Sequence, residues 1–535
     1  MRSMKRWAKA SAVLAAASMA LAACGGGTTT DSEPAGGEET GTTASGPTGT
    51  LNVFAAYDTT NWHPSNTSSA LAVGANLQVV EGLYEFDYST FEAHKALAAE
   101  DMPKEVGDLT YEVTLREGAK FSTGDPVTSA DVVASYDRIV NGEKDATGTT
   151  VTSPYASFIT FIDSIEAKDD MTVTIKLNQP MEFLKERLAD IKIIPAGATF
   201  DEMTSMPIGS GPYKYDSITD TTADMSVNEH YNGPNPATVE KIHYDESRDA
   251  QARLTAALGG TTDVVEALDP AGIQQVKDAG WEVAEATAYG IAMITFNTTK
   301  APFDNKATRQ GIITAIDTQT LIDSALAGAG QEPNSFLPEM NSMYKEAATQ
   351  FDFDVEKAKS LLAEGGAEGA TVRVLTTTDT WIAAMGPQIK QNLEAAGLTV
   401  NLESLASADV WNNNVAQGDF DIVIAPGDAS VFGADPGILT AGWFFSPLWM
   451  DQRYRLSESD PAAAEALVAA MDEAGKATGD DAKAKWGEVQ DMIADQAALY
   501  PLVFHTLYTA YNPERVSNLT PIGVTGLQLI GTTVK

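Results

Sequence analysis

Tyr111-Glu112-Val113-Thr114-Leu115-Arg116-Glu117-Gly118-Ala119-Lys120-Phe121-Ser122-Thr123-Gly124-Asp125-Pro126-Val127-Thr128-Ser129-Ala130-Asp131-Val132-Val133 is the stretch from which the fold is read. Residues 111–116 alternate apolar and polar side chains, the two-residue period of a half-buried strand. Glu117-Gly118 ends that strand, and Gly118 and Gly124 read as turn glycines. Thr128 followed by Asp131 is a helix-start signal, with Val132, Val133, Tyr136 and Ile139 supplying one apolar face.

Working outward, Leu51-Asn52-Val53-Phe54 opens the folded part as a strand, and Ala70 to Leu83 has apolar residues at helical spacing. Thr172 to Leu177 is a second alternating strand. Beyond residue 249, helices and strands alternate. Helices are expected over Asp249–Leu258, Lys306–Ala327, Val355–Glu364, Ala383–Ala396 and Val410–Gln417. Strands are expected over Thr262–Val265, Val372–Leu375, Leu398–Leu402 and Phe420–Ile424. This rhythm predicts an α/β protein with a mixed, largely parallel sheet. Open α/β sheets place ligands outside the carboxyl ends of their strands, so the loop after Phe420–Ile424 is a site candidate.

The first fifty residues carry a different message. Arg2, Lys5, Arg6 and Lys9 precede an apolar run from Ala10 to Ala23. That is the charge-then-apolar pattern of a secretory signal, and the run is shorter than the roughly 20 residues a bilayer span needs. It ends in Leu21-Ala22-Ala23-Cys24-Gly25, a lipobox-like sequence at the chain's single cysteine. Residues 1–23 are therefore expected to be removed and Cys24 to be lipidated. Residues 24–49 are rich in Gly, Thr, Ser, Pro, Glu and Asp, and read as a tether with a reach of roughly 25–30 Å. The expected location is extracytoplasmic, on the periplasmic or outer face of a membrane. The net charge of −39 repels nucleic acid and anionic headgroups.

In order along the chain stand Val80-Glu81-Gly82-Leu83-Tyr84, the stretch 111–133 quoted above, Gly209-Ser210-Gly211-Pro212-Tyr213, Phe296-Asn297 with Ala301-Pro302-Phe303-Asp304-Asn305 and Arg309, and Gly418-Asp419-Phe420-Asp421-Ile422. These five motifs resemble family 5 of the extracytoplasmic solute-binding proteins, the oligopeptide/dipeptide-binding type that serves ABC importers. The resemblance runs from about residue 50 to the C-terminus. It implies a periplasmic-binding-protein-like fold of type II, cluster C: two main lobes joined by a hinge, with an inserted third lobe. Lobe I would comprise 50–66, 207–290 and 508–535, lobe II the insertion 67–206, and lobe III 291–507. It further implies capture of a di- or oligopeptide between lobes I and III, delivery to ABC permease subunits, and action as a monomer without cofactor. An oligosaccharide or another small solute is the alternative ligand. The motif residues themselves are expected to be structural.

In peptide-binding members an aspartate after the cleft strand pairs with the ligand's N-terminal ammonium. By that resemblance Asp428, in Ala425-Pro426-Gly427-Asp428-Ala429-Ser430-Val431-Phe432-Gly433-Ala434-Asp435-Pro436, is the candidate carboxylate. Ala425 stands near the place of the family's aromatic, and the spacing to Asp435-Pro436 is longer than the family's. Aromatic candidates for ligand contact are Trp62, Trp381, Trp411, Phe432 and Trp443, chosen because rings give large contact area at low entropy cost. Tyr57 is expected to hydrogen-bond along the cleft. The five histidines, His63, His94, His230, His243 and His505, do not pair at metal-ligand spacing, so no metal is expected. The chain has no Gly-x-Ser-x-Gly elbow, His-Glu-x-x-His motif or phosphate-binding loop, which leaves a secreted hydrolase as the weaker competitor to a binder.

Overall fold

The computed structural model describes residues 46–67 and 69–535, so Cys24, the segment read as a signal and most of the expected tether lie outside the described residues. No helix among the described residues is long and apolar enough to cross a membrane.

The stretch 111–133 folds as its periodicity dictates. Thr110–Thr114 is a strand, Gly118 and Gly124 take φ values of 72° and 91°, and Ser129–Asn141 is a helix. The Asp131 carboxylate accepts the Thr128 amide at 2.8 Å and, through its other oxygen, the Ala196 amide at 2.8 Å. The strand joins a four-stranded antiparallel sheet ordered Lys104–Gly107, Thr110–Thr114, Thr172–Leu177, Ile162–Asp169. Arg116, just beyond it, forms a two-pronged bond to Glu81 at 3.1 and 3.2 Å, and Ser210 donates to the same carboxylate at 2.9 Å. Three of the five sequence motifs therefore meet at one buried ion pair. Gly209 has no room for a side chain there, since a Cβ would lie 2.0 Å from the Val79 carbonyl oxygen. The apolar spacing of 70–83 accordingly makes a helix only over Ala70–Asn76; the backbone after it is held by the Gly209–Pro212 turn, with the Gly211 amide donating to Val79.

One eleven-stranded sheet organises the rest. Its order is Tyr213–Ile218, Thr222–Val227, Lys241–Glu246, Thr50–Ala55, Val264–Val265, Leu499–Tyr511, Glu282–Phe296, Ile422–Gly427, Thr371–Thr377, Thr399–Leu405, with Gly330–Gln331 added against Leu499–Tyr511. Parallel pairing is confined to the two flanks: Thr50–Ala55 with both its neighbours, and Thr371–Thr377 with both of its own. The remaining pairs are antiparallel, which corrects the expectation of a largely parallel sheet. The difference comes from the two long central strands, Glu282–Phe296 and Leu499–Tyr511, which run through both halves and pair antiparallel with each other. Their pairing is interrupted between Thr287 and Ile291.

The helices follow local capping chemistry. Asp249 accepts the amides of Gln251 and Ala252 at the head of Ala250–Gly259, and Gly260 ends that helix in the left-handed region. The run 306–327 breaks into Lys306–Thr314 and Thr318–Ala325, because Asp317 accepts the Thr320 amide at 2.9 Å and starts a new helix.

Candidate functional site

Four strands end at one place. The chain leaving Thr50–Ala55 contributes Ala56 and Tyr57; that leaving Val264–Val265 contributes Ala267 and Leu268; that leaving Thr371–Thr377 contributes Thr378 to Trp381; and Ile422–Gly427 runs into Asp428. Together with Ala288, Gly290 and Ile291 from the interruption in the long strands, and His505 to Tyr508 opposite, they enclose a cavity of about 540 Å³. The carboxyl ends of strands leave room here because the helices that cover the sheet start beyond them.

Asp428 follows Gly427, where a Cβ would lie 2.7 Å from the Phe444 ring; only glycine lets the strand end run this close to the ring. One Asp428 oxygen accepts the Ser430 amide at 2.8 Å and the Ser430 hydroxyl at 2.6 Å. Burial pushes the carboxyl up to about 6, and the two Ser430 bonds only partly offset it. Among the described residues no cation pairs with it. Tyr57 faces the same space. Burial raises its phenol well above the usual range, helped by the negative charges of Glu266 and Asp428.

The wall behind Tyr57 is fixed by a buried pair. Glu266 accepts the amides of Ala56 at 3.0 Å and Gly526 at 2.7 Å. Arg253 donates to the carbonyls of Ser247 at 2.7 Å, Ala267 at 2.9 Å and Glu266 at 3.2 Å. At the rim, Arg248 is tied to Asp58 at 2.7 Å. On the opposite side Trp381 stacks on His505, with ring centroids 4.3 Å apart and planes 7° from parallel. Burial lowers the His505 imidazole to about 4, so it is neutral at pH 7.

Of the seven residues nominated from sequence as ligand contacts, Tyr57, Trp381 and Asp428 line this cavity. The other four lie outside its lining. Trp62 is 3% exposed and packs edge-on against Tyr215 at 5.6 Å, in the core beneath the first strand. Phe432 is buried between Tyr155 and Phe158, and Trp443 leans on Phe432 at 5.9 Å. Trp411 is half-buried against Trp449, with the Arg453 guanidinium 4.4 Å from one ring and 4.0 Å from the other. Each of these rings has an apolar or cationic neighbour away from the cavity. Sequence reasoning passed over Asp379, Arg253, Arg248, His505 and Tyr508. Asp379 carried a signal, an acidic residue between a strand and a helix; His505 lies inside an apolar strand and carried none.

The model of the bacterial extracellular solute-binding proteins, family 5 matches residues 92–443. This chain belongs to that family. Among curated relatives of this family 5 protein, the heme-binding protein A of Haemophilus influenzae is 30% identical over 313 residues, 54% of this chain and 56% of the relative. The probable D,D-dipeptide-binding periplasmic protein of Escherichia coli is 27% identical, covering 62% of this chain and 64% of the relative. The chain thus spans little more than half the length of the curated relatives it matches. Among solved structures, the dipeptide-binding protein of a Pseudoalteromonas species in complex with Met-Leu superposes with a TM-score of 0.77 at 21% identity, over 91% of this chain and 100% of that one. A Listeria monocytogenes ABC transporter substrate-binding protein gives the same TM-score and identity, over 91% of this chain and 99% of that one. The fold is that of the type II periplasmic binding proteins.

Proposed function

We propose that this family 5 protein captures a di- or oligopeptide in the 540 Å³ cavity and delivers it, as a monomer, to the permease of an ABC importer. Asp428 carries the reading. A half-buried carboxyl at a strand end, hydrogen-bonded only by Ser430 and with no cation partner among the described residues, suits a positive group. A peptide's N-terminal ammonium supplies that group and gains a charge-assisted bond. The names of the Escherichia coli relatives, dipeptide-binding and D,D-dipeptide-binding, support the same ligand class. The volume falls within the roughly 300–1,000 Å³ usual for small-ligand sites.

The test is calorimetry and thermal unfolding with matched peptides. Free-amine dipeptides should raise the unfolding temperature by mass action. Their N-acetylated forms should bind at least tenfold more weakly. Equal binding of the two would remove Asp428 from the role. The Trp381 ring, held flat by His505, favours one second reading, a sugar stacked on indole. Stabilisation by an oligosaccharide panel and not by peptides would select it.

We take lobe I as 50–66, 207–290 and 508–535, lobe II as 67–206 and lobe III as 291–507. The two long strands then cross between lobes I and III, and the interruption at 287–291 serves as the hinge. We further propose that residues 1–23 are removed and Cys24 is acylated, tethering the body outside the cell. Cys24→Ser should move the protein from the membrane to the soluble fraction; retention at the membrane would sink the anchor.

A further inference from the structure

The cavity is unbalanced in charge. Of the two arginines in its lining, Arg253 is committed to three carbonyls with Glu266 beside it, and Arg248, at the exposed rim, pairs with Asp58. His505 carries no charge at neutral pH and is covered on one side by indole. Against these stand three acids in the lining, Asp428, Asp379 and Asp269. Asp269 is occupied, accepting the Ala271 amide at 2.9 Å as the cap of a short helix.

Asp379 is different. It stands at the N-cap of the helix Thr380–Ala395, the position where an aspartate normally accepts a backbone amide. Its side chain does not cap, and among the described residues it accepts no hydrogen bond. Two residues on, Trp381 lines the same cavity, immobilised by its stack on His505. A half-exposed acceptor that does not cap its own helix, lining the same cavity as a stacked ring, has the chemistry to receive an ammonium or guanidinium. The carboxylate supplies charge, and the indole supplies area and cation–π attraction. Asp428 lines the same cavity, so the cleft holds these two carboxylates with no cation partner among the described residues.

We propose that Asp379 and Trp381 form a side-chain pocket for a cation, so that the cleft selects short peptides bearing Lys or Arg over neutral peptides of the same length. This deepens the peptide reading above and rests on it for the identity of the ligand, though not for the pocket. The experiment is titration calorimetry on the full-length protein at pH 7.5 with Ala-Lys, Ala-norleucine, Ala-Ala and the diamine cadaverine. Ala-Lys should bind at least tenfold more tightly than Ala-norleucine. Asp379→Asn should bring that ratio to within twofold, and Asp379→Glu, which keeps the charge, should retain a preference. Equal affinity of the wild type for Ala-Lys and Ala-norleucine overturns the pocket, as does a preference that survives Asp379→Asn. If no peptide binds but cadaverine does, and Asp379→Asn abolishes it, the peptide reading falls while the cation pocket stands. If neither cationic probe binds, the pocket falls.

Discussion

Asp428 and Asp435 lie on one loop, and the structure treats them oppositely. Asp435 is 6% exposed and fully coordinated: Arg187 donates to one oxygen at 2.6 Å and the Gly437 amide to the other at 2.6 Å. The residues before it are equally committed. Tyr88 donates to the Val431 carbonyl at 2.9 Å, Phe432 fills a ring cluster with Tyr155 and Phe158, and Asn341 donates to the Ala434 carbonyl at 2.7 Å. Asp428 has a serine and a cavity. An acid whose cation is built into the protein fastens parts of the fold together. Asp428, at the wall of a cavity and with no cation partner among the described residues, is the acid proposed to take its cation from outside. One loop thus does both: its second half is riveted to the segment 84–187 so that its first half can stay fixed while under-coordinated.

The fastening should be the costlier half to break. Arg187→Met strands the Asp435 carboxylate without its cation. Loss of one partner of a buried pair costs roughly 3–5 kcal/mol. Urea denaturation should show a loss of unfolding free energy of that size, seen as a lower midpoint. The double variant Arg187→Met/Asp435→Leu should recover most of it, because it leaves no orphaned charge.

Glu246 sharpens the comparison, because it too lacks a partner yet lies outside the cavity lining. Both of its carboxylate oxygens are buried without a hydrogen bond, and burial, with Asp58 nearby, pushes it up to about 7. The sign follows from linkage. A folded-state pKa above the unfolded value of 4.5 means the folded state holds the proton more tightly. The penalty is absent below about pH 4.5, grows as pH rises to about 7, and is constant above that. Glu246→Gln should therefore stabilise the protein by about 3 kcal/mol at pH 8 and by almost nothing at pH 4. Peptide affinity should not move. A change in affinity would mean that a missing partner alone marks a binding residue, and that the cavity wall is not the deciding feature.

The Asp428→Asn substitution should reverse the sign seen at Arg187. Its carboxyl sits at about 6 when folded, against 3.8 unfolded. The stability cost of that charge appears as pH rises from about 4 to 6, and relieving it should gain about 2 kcal/mol at pH 8 after allowing for partial exposure. The same variant should lose roughly 1.5–3 kcal/mol of affinity for a free-amine peptide, the value of a hydrogen bond to a charged group. In the wild type, affinity for such peptides should fall about tenfold per pH unit below 6, as the carboxyl takes up its proton. A stable variant that binds peptides as tightly as the wild type would collapse the distinction between the two aspartates.

Backbone periodicity and capping are local, and they were legible. The strand at Thr110–Thr114, the Thr128–Asp131 helix start, Asp249 as a cap and Val355–Glu364 as a helix all follow from neighbours in sequence. The two long strands were not anticipated, because Glu282–Phe296 mixes exposed and buried stretches as it passes from one half of the sheet to the other. The antiparallel centre of the sheet went with them. For the site, the strand-end rule pointed to the loop holding Asp428, but Trp62 and Phe432 look in sequence like any other binding aromatic. Their burial is decided by Tyr215 and by Tyr155 and Phe158, residues far away in the chain. Asp379 was hidden for the converse reason: its sequence reads as an ordinary helix cap, and only the absence of the capping bond sets it apart.

The smallest effect separates two tryptophans. Trp381 lines the cavity, and Trp411 is engaged by Trp449 and Arg453 outside it. Trp381→Phe shortens the ring that His505 supports and should cost about 1 kcal/mol of ligand affinity, roughly fivefold, in the range measured for aromatic pair contacts. Trp411→Phe should leave affinity within twofold, because its contacts are complete without a ligand. Ligand-induced fluorescence change should follow the same division, diminished in Trp381→Phe and retained in Trp411→Phe. If the signal instead disappears with Trp411, closure must move the Trp411–Arg453–Trp449 stack. The interlobe motion would then reach well beyond the cavity wall, and the boundary drawn between fastening and recognising residues would have to be redrawn around that stack.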